Sequence, residues 1–346
     1  MRVAYVTEQG TVIYKKGRRL GVARQRETIA TLRLAHLDQV VLWGHVRITP
    51  GALALLLDHG VDTVFVSAHG RFRGRLVGPA SKNILLRWAQ FQQAQQTAFA
   101  LDVARNIVAA KIHNARTLLR HRLRHRPEHP ALTDALAQLR AIAHAVPRAD
   151  DLDRLRGLEG EAAAVYFRAL GASLEDPFFR FERRTRRPPE DPTNALLSLL
   201  YTLLLTAVLH ACHVVGLDPY LGVFHQMGYG KPALALDLME EFRPALADAL
   251  ALRLIERRTV RPDDFRPPAE ADSTPAPDAP PAPRPVYLTP DGLKKVIQLW
   301  EARLQDEVID PPTGHTLTWR DLILEQVRRM ARAFRDGVPY TPFRWA

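Results

Sequence analysis

Cysteine is almost absent from this chain: Cys212 is the only one in 346 residues. A single thiol excludes an intramolecular disulfide and any zinc site built on cysteine pairs, and it suits a reducing compartment. Also missing are a GxxxxGK[ST] phosphate loop, a GxGxxG after a strand and a GxSxG elbow. The GYGK at 228–231 is too short to cradle a nucleotide. The opening MRVAYVTEQG has no charged-then-apolar leader pattern, so a cytoplasmic location is expected. Long apolar runs are scarce. The one near membrane length, around Ala195 to Gly216, carries Ser198, Thr202, Thr206, His210 and His213 and lacks flanking aromatic anchors. It reads as a buried core helix with no membrane partner. No internal repeat at solenoid-like periods is present.

Acidic charge is in short supply as well. Asp and Glu number 37 against 48 Lys and Arg, which gives a net charge of +11 and a pI near 10.1. Such a balance favours a polyanionic partner, nucleic acid first. With 47% hydrophobic and 25% charged residues the chain can bury an ordinary core, and its length suits two domains.

The pattern along the chain is divided. From residue 2 to about 77, short β-rich runs such as RVAYV, TVIYK, QVVLWG and TVFVS alternate with polar turns. They predict a compact antiparallel sheet whose edges offer a dimerisation surface. One helix interrupts them, from Pro50 to Asp58, with Thr49 as its cap. After Gly78 and Pro79 the 3.6-residue period dominates, and helices are predicted over 82–125, 131–146, 149–170, 192–216, 232–257, 290–308 and 318–336. The fold class is therefore α+β: a small β-rich amino-terminal domain (1–78) followed by a larger all-α catalytic domain (79–346). Nine prolines between 261 and 285 predict a flexible insert in the helical domain.

Three side chains stand out as metal-competent: Glu159 in LRGLEGEAAAVYF, His225 in GLDPYLGVFHQMGYGK and Glu240 in ALALDLMEEFRP. Two carboxylates and an imidazole suit Mg²⁺ or Mn²⁺ and phosphoryl chemistry better than structural zinc. Spacing alone leaves plainer readings open. Glu159 also fits a solvent boundary, a lone histidine is by default a core or surface residue, and Asp237, Glu240 and Glu241 also form one acidic helix face. His210, Cys212 and His213 do not make a site, because on one helix 212 points away from 210 and 213. Basic residues cluster at Arg183, Arg184, Arg186 and Arg187, at Lys231, and at Arg116, Arg120, Arg122, Arg124 and Arg126 with His121 and His125. The last cluster reads as a solvated face.

In order along the chain, YVTEQGTVIYKKGRRL, LWGHVRITPGALALLLDHGVDTVFVSAHGRFRGRL, RLRGLEGEAAAVYF, RRPPEDPTNALLSLLYTLL, GLDPYLGVFH, LALDLMEEFRP and the closing VPYTPF resemble the CRISPR-associated integrase and endonuclease family, Cas one, over nearly the whole chain. The resemblance implies that Glu159, His225 and Glu240 are the catalytic metal ligands. Many members carry Asp in the third position, and Glu240 reaches further. Asp237 matches an acidic position that binds an accessory ion or orients the first. Arg183, Arg184, Arg186, Arg187 and Lys231 match positions close to substrate phosphates. Tyr166, Asn194, Ser198, Tyr201 and Gln326 match positions near the active site or core.

The implied activity is a metal-dependent insertion of short donor DNA, the spacer, into CRISPR repeats by 3′-hydroxyl transesterification. The implied assembly is a homodimer joined to the small partner Cas two in a heterohexamer. A general metal nuclease acting on branched or single-stranded DNA and a non-catalytic DNA-binding scaffold are the competing readings.

Overall fold

A computed structural model of the chain describes residues 2–68, 70, 72–76, 78, 83–185, 188–266 and 285–346. Its contacts divide it into two compact units, Met1–Lys82 and Asn83–Ala346.

Among its described residues the first unit holds eight strands, one α-helix and a 3-10 turn at Leu34–His36: β1 Val3–Val6, β2 Val12–Lys16, β3 Arg19–Arg24, β4 Glu27–Arg33, β5 Gln39–Trp43, β6 Arg47–Ile48, α1 Pro50–Asp58, β7 Asp62–Val66 and β8 Phe72–Leu76. They form two four-stranded sheets, ordered β1-β5-β7-β8 and β4-β3-β2-β6. The sheets are mixed, not antiparallel as the alternating pattern suggested: β1 with β5, β5 with β7 and β2 with β6 run parallel. Alternation reports a half-buried strand but not its direction. The discriminating signal is β5, where QVVLW is buried at all five positions, as a parallel interior strand covered on both faces must be. Parallel neighbours need a crossover, and α1 supplies it between β5 and β7. Thr49 caps α1 as predicted, its hydroxyl accepting the Ala52 N–H.

The second unit is mostly helical: α2 Ile84–Ala94, α3 Thr97–His125, α4 Pro130–Ala145, α5 Leu152–Ala172, α6 Pro192–Val215, α7 Ala233–Met239, α8 Ala249–Glu256, α9 Pro290–Gln305 and α10 Trp319–Asp336. Two small hairpins qualify the all-α expectation: β9 Phe265–Arg266 with β10 Tyr287–Leu288, and β11 Glu307–Ile309 with β12 Thr316–Thr318. The helix predicted over 82–125 breaks at Gln95 and Gln96, where Gln96 adopts an extended backbone.

The helix predicted over 232–257 is likewise discontinuous. A π-helical turn, Arg243–Asp248, lies between α7 and α8. Pro244 has no N–H to give back up the helix, so the ladder widens there. The proline-rich stretch is placed only at its margins. Pro262–Asp264 make a 3-10 turn, β9 and β10 pair across the stretch, and residues 267–284 lie outside the described residues.

Helix ends follow side-chain chemistry. Asp151 caps α5 through the Arg154 N–H, Asp191 caps α6 through Asn194, and Thr318 caps α10 through Asp321. Gly216 closes α6 in the left-handed conformation, at φ +94°. Among the described residues α6 is the one helix long and apolar enough to cross a membrane, yet 72% of its apolar window is buried inside the protein. It packs against α7, α8, α10 and the π turn, which makes it a core helix.

Candidate active site

Four segments of the second unit meet at one place: the middle of α3, the first half of α5, the loop after α6, and α7 with the π turn. Glu159 projects from α5 and is a quarter exposed. Its partner is Lys111 of α3, whose ammonium donates to Glu159 Oε1. The same ammonium lies 2.6 Å from Glu240 Oε2, so one lysine links the two carboxylates.

Glu240 follows α7 directly and is almost fully buried. Arg243, one turn on, brings Nη2 to 3.2 Å from Glu240 Oε1. Burial pushes the Glu240 carboxyl up, but Arg243, Lys111 and His225 together outweigh it and hold its pKa at about 2.

His225 sits in the loop between α6 and α7, and Asp237 of α7 organises that loop. Asp237 Oδ2 accepts the N–H groups of Val223 and Phe224 at 2.7 and 3.1 Å, and Oδ1 accepts the His225 N–H at 2.8 Å. Oδ1 also takes the imidazole Nδ1–H at 2.7 Å. A carboxylate so placed only accepts, which puts a proton on the imidazole Nδ1 and turns Nε2 toward Glu240 Oε1 at 3.8 Å. The chain can come this close only because residue 222 is glycine: a Cβ there would stand 2.5 Å from Asp237 Oδ2 and 2.7 Å from the Ala233 backbone. From the other side Arg156, one turn before Glu159, grips the Phe224 carbonyl through Nε and Nη2 at 3.2 and 3.0 Å. The loop carrying His225 is thereby tied to the helix carrying Glu159.

The structure therefore joins Glu159 and Glu240 through Lys111 and places His225 beside Glu240, on its other carboxylate oxygen. Among the described residues no three His, Cys, Asp or Glu side chains are gathered closely enough to hold an ion as they stand. The Lys111 ammonium lies between the carboxylates instead. Two carboxylates that already share a cation, with an imidazole nitrogen beside one of them, make a mixed oxygen and nitrogen donor set of the kind that Mg²⁺ or Mn²⁺ takes. Asp237 has four donors on its two oxygens, which fits orienting His225 better than holding a second ion.

A second buried network stands behind the first. Tyr166 and Tyr201 both donate to Asp248 at 2.7 Å. Burial raises the Asp248 carboxyl to about 6 despite those two hydroxyls. Arg243 and Arg184 both lie against the Tyr201 ring, 4.8 and 5.2 Å from its centre, so the Asp248 network reaches Glu240 through Arg243.

Next to Glu240, Glu241 faces the opposite way. It accepts from Gln326 Nε2, the Tyr340 hydroxyl and the Phe343 N–H, and burial lifts its carboxyl to about 7. The Phe343 ring stacks on Phe242 at 5.8 Å. Asn114 of α3 completes the clamp, bonding the Glu241 and Phe343 carbonyls and the Trp345 N–H.

The basic residues divide. Arg183 is exposed and Lys231 half-buried, the latter in a turn closed by its own N–H to Gly228 O at 3.0 Å. Arg184 is turned inward: it donates to Asn194 Oδ1 at 2.7 Å and Ser198 Oγ at 3.0 Å, which explains the placement of Asn194 and Ser198. Arg186 and Arg187 lie outside the described residues. In the second cluster, Arg122 bonds Ser173 and Glu256, and Arg126 pairs with Glu175. That run is in part structural and not simply a solvated face.

Sequence reasoning missed Lys111, Arg243 and Asp248. Lys111 carried a signal, since it falls on the stripe Ala104, Ile107, Val108, Ala115 and Leu118, all buried. A lysine at a core position of an amphipathic helix calls for a buried anion.

Comparison with known proteins agrees with this geometry. A family model described as CRISPR associated protein Cas1 matches residues 4–302. The chain is 37% identical to CRISPR-associated endonuclease Cas1 2 of Rhodospirillum rubrum, over 100% of this chain and 98% of that protein. It is 36% identical to CRISPR-associated endonuclease Cas1 3 of Thermus thermophilus, over 99% and 96%. Among solved structures, a Cas6-RT-Cas1–Cas2 complex matches with a TM-score of 0.85 at 26% identity, covering 99% of this chain and 36% of that one. A Cas1 protein from Thermotoga maritima matches in fold with a TM-score of 0.79 at 22% identity, over 96% and 97%. The resemblance seen in the motifs thus extends through the chain, at full-length identities well above those that fold alone would give, and the chain belongs to the Cas1 family of CRISPR-associated proteins.

Proposed function

We propose that this protein is a metal-dependent DNA endonuclease and integrase that joins the 3′-hydroxyl of a short donor DNA to a phosphodiester of a CRISPR repeat. The observation that supports the reading is that Glu159 and Glu240 share the Lys111 cation while His225 Nε2 stands 3.8 Å from the other oxygen of Glu240, with the imidazole Nδ1–H held by Asp237. Relatives carrying the name endonuclease support the hydrolytic side of it.

Glu159, His225 and Glu240 would hold Mg²⁺ or Mn²⁺, which supplies Lewis acidity at a phosphoryl oxygen and lowers the pKa of an attacking water or hydroxyl. The remaining work belongs to the chain. Asp237 keeps the Nδ1 proton away from the reacting face, Arg156 fixes the distance between the His225 loop and α5, and Arg243 holds Glu240 ionised. Arg183, Arg186, Arg187 and Lys231 would bind backbone phosphates, whereas Arg184 supports the segment from within. Transesterification exchanges one phosphodiester for another, so no nucleoside triphosphate is consumed. The proposed assembly, in the cytoplasm, is a homodimer joined through the β-rich unit and bound to the small Cas2 protein in a heterohexamer. The Cas1–Cas2 composition of a structural relative supports the Cas2 partner.

Glu159→Ala tests the assignment: the protein folds but loses metal-dependent cleavage and strand transfer. Retained cleavage would remove Glu159 from the site. Strand transfer that needs neither Cas2 nor a repeat target would favour a general nuclease instead, and wild-type protein that binds DNA without any cleavage would leave a scaffold.

A further inference from the structure

Lys111 is the residue that the proposed reaction does not use and that the geometry puts at its centre. Its ammonium bonds Glu159 Oε1 and stands 2.6 Å from Glu240 Oε2, with its side chain only 13% exposed. The charges nearby nearly balance. Glu159, Glu240 and the Asp237 carboxylate behind His225 contribute three negative charges, and Lys111 and Arg243 two positive ones. A divalent ion added beside both cations would leave this part-buried site with an uncompensated positive charge, which a low-dielectric environment opposes. The metal ligands also cannot close on an ion while the ammonium spans the two carboxylates. Arg243 has no freedom to leave, since its guanidinium is buried against Tyr201. Lys111 has: it is a four-carbon stem on α3 with an open side.

We propose that Lys111 is the site's resident counter-cation, exchanged for the divalent ion when the metal enters, so that metal binding is a substitution of one cation for another. The inference rests on reading Glu159, His225 and Glu240 as a metal site. Exchange leaves these groups without excess charge, and a substrate phosphate gives the displaced ammonium a new anion. Mn²⁺ alone is therefore held weakly by the wild-type protein, and DNA phosphate strengthens its binding.

The experiment is a calorimetric titration of the full chain with Mn²⁺ alone, repeated in the presence of a short DNA duplex, for wild type, Lys111→Met, Lys111→Gln and Lys111→Arg. Removing the competing charge should tighten Mn²⁺ binding about tenfold or more in Lys111→Met and Lys111→Gln, while Lys111→Arg stays within about threefold of wild type. The gain from DNA should shrink in the two neutral variants. Thermal melting supplies the second readout: in chelator the neutral variants melt below wild type, because two carboxylates lose their partner, and Mn²⁺ restores them. If one neutral variant does not fold even with Mn²⁺, the other carries the comparison. Equal or weaker Mn²⁺ binding in the neutral variants, with wild type still binding, overturns the exchange and leaves the metal site standing. Failure of wild type to bind Mn²⁺ with or without DNA overturns both.

Discussion

Asp237 accepts the Nδ1–H of His225 at 2.7 Å while its other lone pairs take three successive backbone N–H groups, so one buried carboxylate fixes both the path of the loop and the tautomer of the ring. Asp237→Asn should therefore do more harm to chemistry than to folding. An amide must present its NH₂ to groups that already donate, and the imidazole loses the acceptor that holds it. A loss of about 10- to 100-fold in metal affinity or cleavage rate is expected. Metal-dependent cleavage, with the His225 ring nitrogens followed by NMR, checks this: an unchanged Nδ1–H tautomer together with unchanged rate would refute it.

Gly222 is held to glycine by space. Gly222→Ala places a methyl 2.5 Å from Asp237 Oδ2 and under 3 Å from the start of α7, where backbone cannot yield. Overpacking of this kind costs about 1–3 kcal/mol. Urea unfolding should show the cost, and cleavage should fall with it because the displaced loop carries His225.

Asp248 gives the fold a pH dependence whose sign runs opposite to that of a salt-bridged carboxylate. Burial raises it from 3.8 to about 6, so between those values the folded chain holds a proton that the unfolded chain has released. Stability from this group is complete below the unfolded pKa and is lost as pH rises through about 6, by about 3 kcal/mol in all. Asp248→Asn keeps an acceptor for one tyrosine and offers a donor to the other. Its unfolding free energy should be flatter than wild type between about pH 4 and about pH 7; a parallel pair of curves would show that Asp248 does not titrate there.

The basic segment should separate by role. Arg183→Ala and Lys231→Ala are expected to weaken DNA binding across sequences and reduce the salt slope by about 1 each. Arg184→Ala should instead lower stability, since it empties a site lined by Asn194, Ser198 and Tyr201, and leave the salt slope nearly unchanged. A full unit of slope lost in Arg184→Ala would reverse that assignment.

Much of the architecture was legible because it is written in periodicity. The change from period 2 to 3.6 gave a β-rich region and then helices, and Thr49 and Pro50 marked the start of α1. Strand direction was not legible, because β1 and β5 are paired across a chain return of some thirty residues that alternation does not encode. The break at Gln95 was hidden for another reason: no glycine or proline announces it, and the polar QQAQQT run reads equally well as exposed helix. At the site, the motifs named Glu159, His225 and Glu240, but not the cation that joins two of them. Lys111 is 48 residues from Glu159 in sequence, and only the packing of α3 on α5 makes them neighbours.

The clamp on the last residues has a consequence for biosynthesis. Asn114 bonds residues more than 200 positions later, and Phe343 fills a place in the core between Phe242 and Trp319. A chain made from its amino terminus can assemble the β-rich unit while translation continues, but the helical unit lacks a structural wedge until residues 340–345 have left the ribosome. Until then Glu241 lacks the Tyr340 and Phe343 donors that satisfy it in the folded chain. A nascent chain stalled before Tyr340 should therefore remain a substrate for chaperones, and the carboxylate beside it, Glu240, would not yet be set for use.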